Sequence, residues 1–116
     1  MKLETRARVE VFIPLREDDS TYQAVAQWVA EEFALRRGGS TATTAFTGFY
    51  ISQATGRIVR DLVQIIFTDV LVDFEDSPAR DELAAQLDLL RMDLEDLLPE
   101  EEEFWVTVSP IWIVRR

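Results

Sequence analysis

The 116 residues are enough for one domain with a substantial core; the net charge is −10, and the chain contains no cysteine and no histidine. Disulfides, thiolate metal sites, cysteine nucleophiles and every catalytic triad with a histidine are therefore excluded. Because the whole acidic excess lies after residue 61, phosphate backbones and anionic membranes would be repelled, and we expect neither nucleic acid nor a membrane as partner.

Targeting signals and cofactor motifs are missing from the sequence. The start, MKLETRARVEV, lacks the apolar stretch of a signal peptide, and no run approaches the roughly 20 apolar residues of a membrane span. Neither the phosphate-loop spacing nor GxGxxG occurs, and the acidic runs lack the spacing of a calcium loop. We expect a cytoplasmic protein without cofactor or metal.

The first predicted elements are a strand and an amphipathic helix. In TRARVEVFIP, apolar and polar residues alternate, which is typical of a strand that ends at Pro14. Ser20, with Gln23 three places on, fits a capping box at the start of a helix. The apolar stripe of this helix comprises Tyr22, Val25, Ala26, Val29 and Phe33. Gly38 is expected to cap its end in the left-handed conformation.

The glycine pair in RRGGSTATTAFTGFY follows this helix and precedes a strand. Phosphate-binding loops place such glycines before a helix, whose amino end attracts the anion. The pair is therefore predicted to be a helix cap and not a phosphate cradle.

A hairpin, a second helix and a final strand follow. AFTGFYISQ and RIVRDLVQIIFTDV are rich in β-branched and aromatic residues and are joined by the turn ATG. Ser77 as N-cap and Pro78 at the first helical position predict a helix that ends before Pro99. Its apolar stripe comprises Leu83, Leu87, Leu90, Leu94 and Leu97. EFWVTVSPIWIV forms the last strand.

The element order β-α-β-β-α-β predicts an α+β protein. It resembles the ferredoxin-like fold, a four-stranded antiparallel sheet with two helices on one face, and we expect residues 1–116 to form a single domain of this type. The last strand lies at an edge of that sheet, where Pro110 is tolerated because it lacks an N–H group.

Two helices leave one face of such a sheet uncovered. That face receives large apolar side chains, namely Phe12, Trp105, Ile111 and Ile113. Exposed apolar patches of this kind mark interfaces, so we predict a homodimer that packs through the sheets or through the last strand. The alternative is that a terminal strand or the loop 69–76 folds over the open face within one chain.

The hairpin carries the candidate ligand site, formed by Tyr50, Arg57 and Arg60. If its strands pair through ATG, a phenol and a guanidinium come side by side and could hold a small anionic ligand such as a carboxylate or phosphate. The alternative is a cross-strand Tyr–Arg contact with a local ion pair between Arg60 and Asp61.

The motifs GGST (38–41), GFY (48–50) and GRIVRD (56–61) together resemble small bacterial ferredoxin-like proteins of unknown function. The architecture is also similar to the antibiotic-biosynthesis monooxygenase group of dimeric α+β barrels, which act in the cleft between sheet and helices. Two hypotheses follow. The first is a non-enzymatic homodimeric binding or regulatory module. The second is a cofactor-independent enzyme of the barrel type that uses Tyr50, Arg60 and a tryptophan.

Overall fold

The computed structural model describes residues 1–16, 18–101 and 103–116. Its elements are β1 (Lys2–Leu15), α1 (Ser20–Arg37), β2 (Thr41–Ala42), β3 (Phe46–Ile51), β4 (Ile58–Val70), α2 (Ser77–Leu97) and β5 (Trp105–Arg115). The sheet is antiparallel throughout, in the order β2-β4-β1-β5, with β3 also paired to β4. The α+β class is confirmed, but the sheet has five strands and not the predicted four.

The fifth strand is the two-residue β2, which precedes the predicted second strand, AFTGFYISQ (45–53), and lies outside every predicted element. β2 and β3 pair with the same strand, β4, so together they occupy one edge of the sheet. Between them, Thr43 bonds Ile65 through its N–H group (2.9 Å) and through its Oγ1, which accepts from the Ile65 N–H group (3.1 Å). Ala42 pairs with Ile66 and Phe46 pairs with Val63. Three residues of the edge therefore lie opposite two residues of β4, as in a β-bulge.

The core lies between the helices and one face of the sheet. Alternate residues of β1, from Ala7 to Ile13, are buried with the apolar stripes of both helices. The five predicted stripe residues of α1 are all buried. In α2, Leu97 is exposed and Leu98 is buried in its place, because the chain turns inward at the end of the helix. β5 lies at an edge, as predicted from Pro110.

The helix caps are predicted to within one residue. Gly38 adopts φ 88° and its N–H group bonds the carbonyl of Ala34, which confirms the left-handed cap. The N-caps are Asp19 and Asp76, one residue before the predicted serines, because each carboxylate accepts an N–H group of the first turn.

The loop after Gly38 is held by hydroxyl groups. Ser40 Oγ donates to the carbonyl of Ala30 (2.8 Å), and Thr68 Oγ1 donates to the carbonyl of Gly39 (2.7 Å).

Across residues 1–16, 18–101 and 103–116, neither helix is both long and apolar enough to cross a bilayer.

The β3–β4 hairpin projects from one end of the sheet and contributes to an elongated shape, 49 × 26 × 24 Å. Its turn runs from Ser52 to Arg57, where the Ser52 N–H group bonds the Arg57 carbonyl (2.9 Å). Phe49, Ile51 and Ile58 remain exposed along it. The hairpin is therefore an apolar ribbon that the helices do not cover.

Candidate functional site

The face of the sheet opposite the helices is divided into a charged half and an apolar half. In the charged half, the Arg8 guanidinium bonds both carboxylate oxygens of Asp69 (2.8 and 3.0 Å) and lies 4.5 Å from the centroid of the Phe67 ring. Arg6 forms an ion pair with Glu4 (3.1 Å) and is buried. Arginine side chains thus shield the apolar residues of this half from water.

The apolar half contains a groove of about 580 Å³ beside the hairpin. Its aromatic walls are Phe12, Tyr50 and Trp105, and carboxylates lie around them. Phe12 and Trp105 pack edge to face, with ring centroids 6.5 Å apart, yet Trp105 remains 61% exposed. An aromatic surface is therefore available to a bound molecule.

The carboxylates of the groove are Asp61, Glu101 and Glu103. Asp61 and Glu101 share one cation, Arg16. Its guanidinium donates to Asp61 Oδ1 and to both oxygens of Glu101 (3.1 and 3.2 Å). These two side chains are only 10% and 11% exposed, and Arg16 is 31% exposed. The three residues link the end of β1, β4 and the segment before β5.

Tyr22 of α1 completes this cluster. Its hydroxyl donates to Glu101 Oε2 (3.0 Å), and its ring centroid lies 5.3 Å from the Arg16 guanidinium carbon. Burial, the hydrogen bond to Glu101 and the charge of that carboxylate raise the pKa of Tyr22 to about 12. Burial opposes the charge of Arg16, but the hydrogen bond to Asp61 and the charge of Glu101 outweigh it and raise the pKa of Arg16. The cluster thus holds a neutral phenol and a permanent cation.

The predicted ligand residues do not meet in one site. Tyr50 lies opposite Val59, and Arg60 lies opposite Phe49, one step along the register. Successive residues of a strand point to opposite faces, so Tyr50 and Arg60 project from opposite faces of the hairpin. Arg57 lies at the end of the turn and is exposed. Of these three residues, Tyr50 is the one that lines the groove.

The predicted local ion pair between Arg60 and Asp61 is also replaced. Asp61 bonds Arg16, which is 45 positions away in the sequence. Spacing along the chain could not reveal this pair, because it depends on the pairing of β1 with β4.

The acidic run PEEEEF is typical of a solvated turn, whereas Glu101 within it is almost buried.

The predicted interface residues all lie on the open face. Trp105 pairs with Phe12, and Ile111 and Ile113 pair with Arg6 and Glu4. Phe12, Ile111 and Ile113 are partly buried and Trp105 is exposed.

The loop 69–76 does not cover this face. Val72 and Phe74 within it pack against the core, which lies on the helix side of the sheet. The alternative in which this loop folds over the open face is therefore excluded.

The acidic residues do not gather into a recognisable cation site. Across residues 1–16, 18–101 and 103–116, no group of three or more His, Cys, Asp or Glu side chains could hold a metal ion.

Comparison with known proteins bears on the fold. No family model matches the chain, and no curated protein matches it significantly. Among solved structures, the chain is similar to the divalent cation tolerance protein Cut A1 from Thermus thermophilus, with a TM-score of 0.54 and 17% sequence identity. The similarity covers 92% of this chain and 84% of the Thermus protein, so it shows a common fold.

Proposed function

We propose that the chain is a single-domain, non-enzymatic binding module that acts in the cytoplasm as a homodimer, with Trp105 at the centre of the contact and Phe12, Ile111 and Ile113 around it. The exposure of Trp105 on the open face carries this proposal. A tryptophan is among the residues most enriched at the energetic centre of interfaces. The exposed Phe46, which lies on the same face of β3 as Tyr50, extends this surface.

A second copy would need to cover only a small part of the surface of the chain. A stable interface buries about 800 Å² on each partner, which is about one tenth of the 7967 Å² that this chain exposes. The charged half of the open face adds complementarity, because the Arg8–Asp69 and Arg6–Glu4 pairs offer both signs to a partner with the same surface.

The distribution of titratable groups supports a non-enzymatic role. A catalytic site needs a titratable group of altered pKa within a pocket that substrate can enter. The pKa of Tyr22 is altered in this way, but Tyr22 is only 3% exposed and is not among the residues that line the groove. Arg16 already forms ion pairs with two carboxylates. The cation tolerance in the name of the Thermus protein is not extended to this chain, because 17% identity supports a common fold alone.

The mass of the protein in solution tests the proposal. Light scattering at micromolar concentration is expected to give about twice the 13.4 kDa of one chain. Trp105→Lys should shift the mass to that of the monomer, because it places an unpaired charge at the contact. Leu35→Lys adds the same charge at an exposed apolar position on α1 and should leave the dimer intact. A wild-type mass of 13.4 kDa would refute the dimer.

A further inference from the structure

We propose that the groove beside the hairpin binds a small organic cation, with an ammonium group held by carboxylates and aromatic rings and an apolar body held by the groove walls. The proposal deepens the proposed binding function. It does not require the dimer, but Phe12 and Trp105 also lie in the proposed dimer contact, so the ligand and a second copy would compete for these walls.

The first argument is the aromatic content of the walls. Phe12, Tyr50 and Trp105 line one cavity, and Tyr50 and Trp105 are both exposed residues. The faces of aromatic rings carry partial negative charge, and rings that surround a cavity are the usual receptors for ammonium groups. Val63 and Pro14 extend the walls with apolar surface for the rest of the ligand.

The second argument is the sign of the charge. Among the described residues, three carboxylates line the groove, and Arg16 neutralises part of the charge of Asp61 and Glu101. Glu103 is exposed and forms no ion pair with any residue that the structure describes. No arginine or lysine is among the described residues that line the groove. The groove is therefore negative, and the anionic ligand expected from the sequence would be repelled there.

The third argument is size. Sites for small molecules have volumes of about 300–1,000 Å³, and the groove, at about 580 Å³, lies within that range. A ligand with one aryl ring and a short ammonium arm matches walls that combine aromatic rings with carboxylates.

Three probes of similar size and different charge test the proposal: phenethylammonium, 2-phenylethanol and phenylacetate. Calorimetric titration of the full chain at pH 7 and low salt is expected to show saturable binding of the ammonium probe at millimolar concentration or below. The neutral probe should bind more weakly by about threefold to tenfold, which corresponds to one exposed charge interaction. Phenylacetate should bind weakest. Equal or tighter binding of phenylacetate, or no saturation by the ammonium probe, would overturn the proposal.

Substitutions identify the residues responsible. Glu103→Gln should weaken the ammonium probe by about threefold and leave 2-phenylethanol unchanged. Trp105→Leu keeps an apolar side chain but removes the ring, and it should weaken the ammonium probe by about two- to fivefold. Glu75→Gln changes the same charge on an exposed loop far along the chain and should have no effect. A Glu103→Gln protein that binds all three probes as the wild type does would contradict the assigned role.

The groove and the dimer can fail separately. Light scattering on the titrated samples reports the mass, and calorimetry reports the ligand. If the protein is a monomer that binds phenethylammonium, the groove proposal stands and the dimer proposal fails. Because the ligand and the second copy compete for Phe12 and Trp105, phenethylammonium should lower the mass of a dimer towards 13.4 kDa, and a dimer that shows neither binding nor a fall in mass contradicts the groove.

Discussion

Replacing Arg16 with methionine tests whether one guanidinium holds three parts of the fold together. Methionine keeps much of the length of the side chain but removes the cation between Asp61 and Glu101. Two nearly buried carboxylates would then lose the cation that they share. The hydroxyl of Tyr22 would remain as a donor to Glu101, but it carries no charge.

The expected loss follows from the burial of the two carboxylates. Breaking a fully buried ion pair by removing one partner costs about 3–5 kcal/mol. Asp61 and Glu101 are 10% and 11% exposed, but Arg16 is 31% exposed and therefore partly screened by water. We therefore expect a loss of about 2–4 kcal/mol in the free energy of unfolding. A domain of 116 residues has roughly 6–17 kcal/mol in total, so the variant should fold.

Urea unfolding at pH 7, followed by tryptophan fluorescence, measures the loss. With a slope of about 2 kcal/mol/M, the midpoint should fall by roughly 1–2 M. Arg91→Met is the matched control, because Arg91 forms ion pairs with Asp88 and Glu95 on the exposed surface of α2. Its midpoint should stay close to that of the wild type. An Arg16→Met midpoint no lower than the control would refute the reasoning, since it would mean that the carboxylates are stable without their cation.

Two further predictions concern the end of α1 and the tyrosine of the cluster. Gly38→Ala should cost about 1 kcal/mol in chemical denaturation, because φ is 88°, while Gly39→Ala, at a position with ordinary φ and open space, should cost much less; equal losses would contradict the cap. Absorbance titration should show Tyr22 ionising near pH 12. Because this pKa lies above the ordinary 10.0, its contribution to stability is complete below pH 10 and is lost as the pH rises towards 12. Glu101→Gln should lower the pKa of Tyr22, though not to 10, because burial remains; an unchanged value would argue against the hydrogen bond.

Apart from β2, the order of elements could be predicted, as could the stripe of α1 and, to within one residue, the helix ends, because they depend on local periodicity and capping. The apolar alternation from Val9 to Ile13 is visible in any window of the sequence, and so is the glycine that follows α1. The short strand β2 could not be predicted, because it depends on pairing with β4 and on how Thr43 bonds Ile65 across the edge of the sheet.

The candidate site could be predicted much less well than the fold. Reading the hairpin as a pair of strands was correct, but a shift of one residue in register decides which side chains share a face. Asp61 pairs with Gly48, two residues before Tyr50, so Tyr50 shares a face of the hairpin with Asp61 and not with Arg60. The cluster around Arg16 joins residues from four separate segments, so no motif along the chain could reveal it.

The groove and the cluster share Asp61 and Glu101, so the stability of the fold and the charge of the site depend on the same cation. Arg16 brings one positive charge to two carboxylates, so part of their negative charge remains in the groove together with that of Glu103. Removing the guanidinium would therefore weaken the fold and make the groove more negative at once, with opposite effects on unfolding and on the affinity for an organic cation. A structural ion pair that also sets the charge of the groove explains why an arginine lies so near a site for cations.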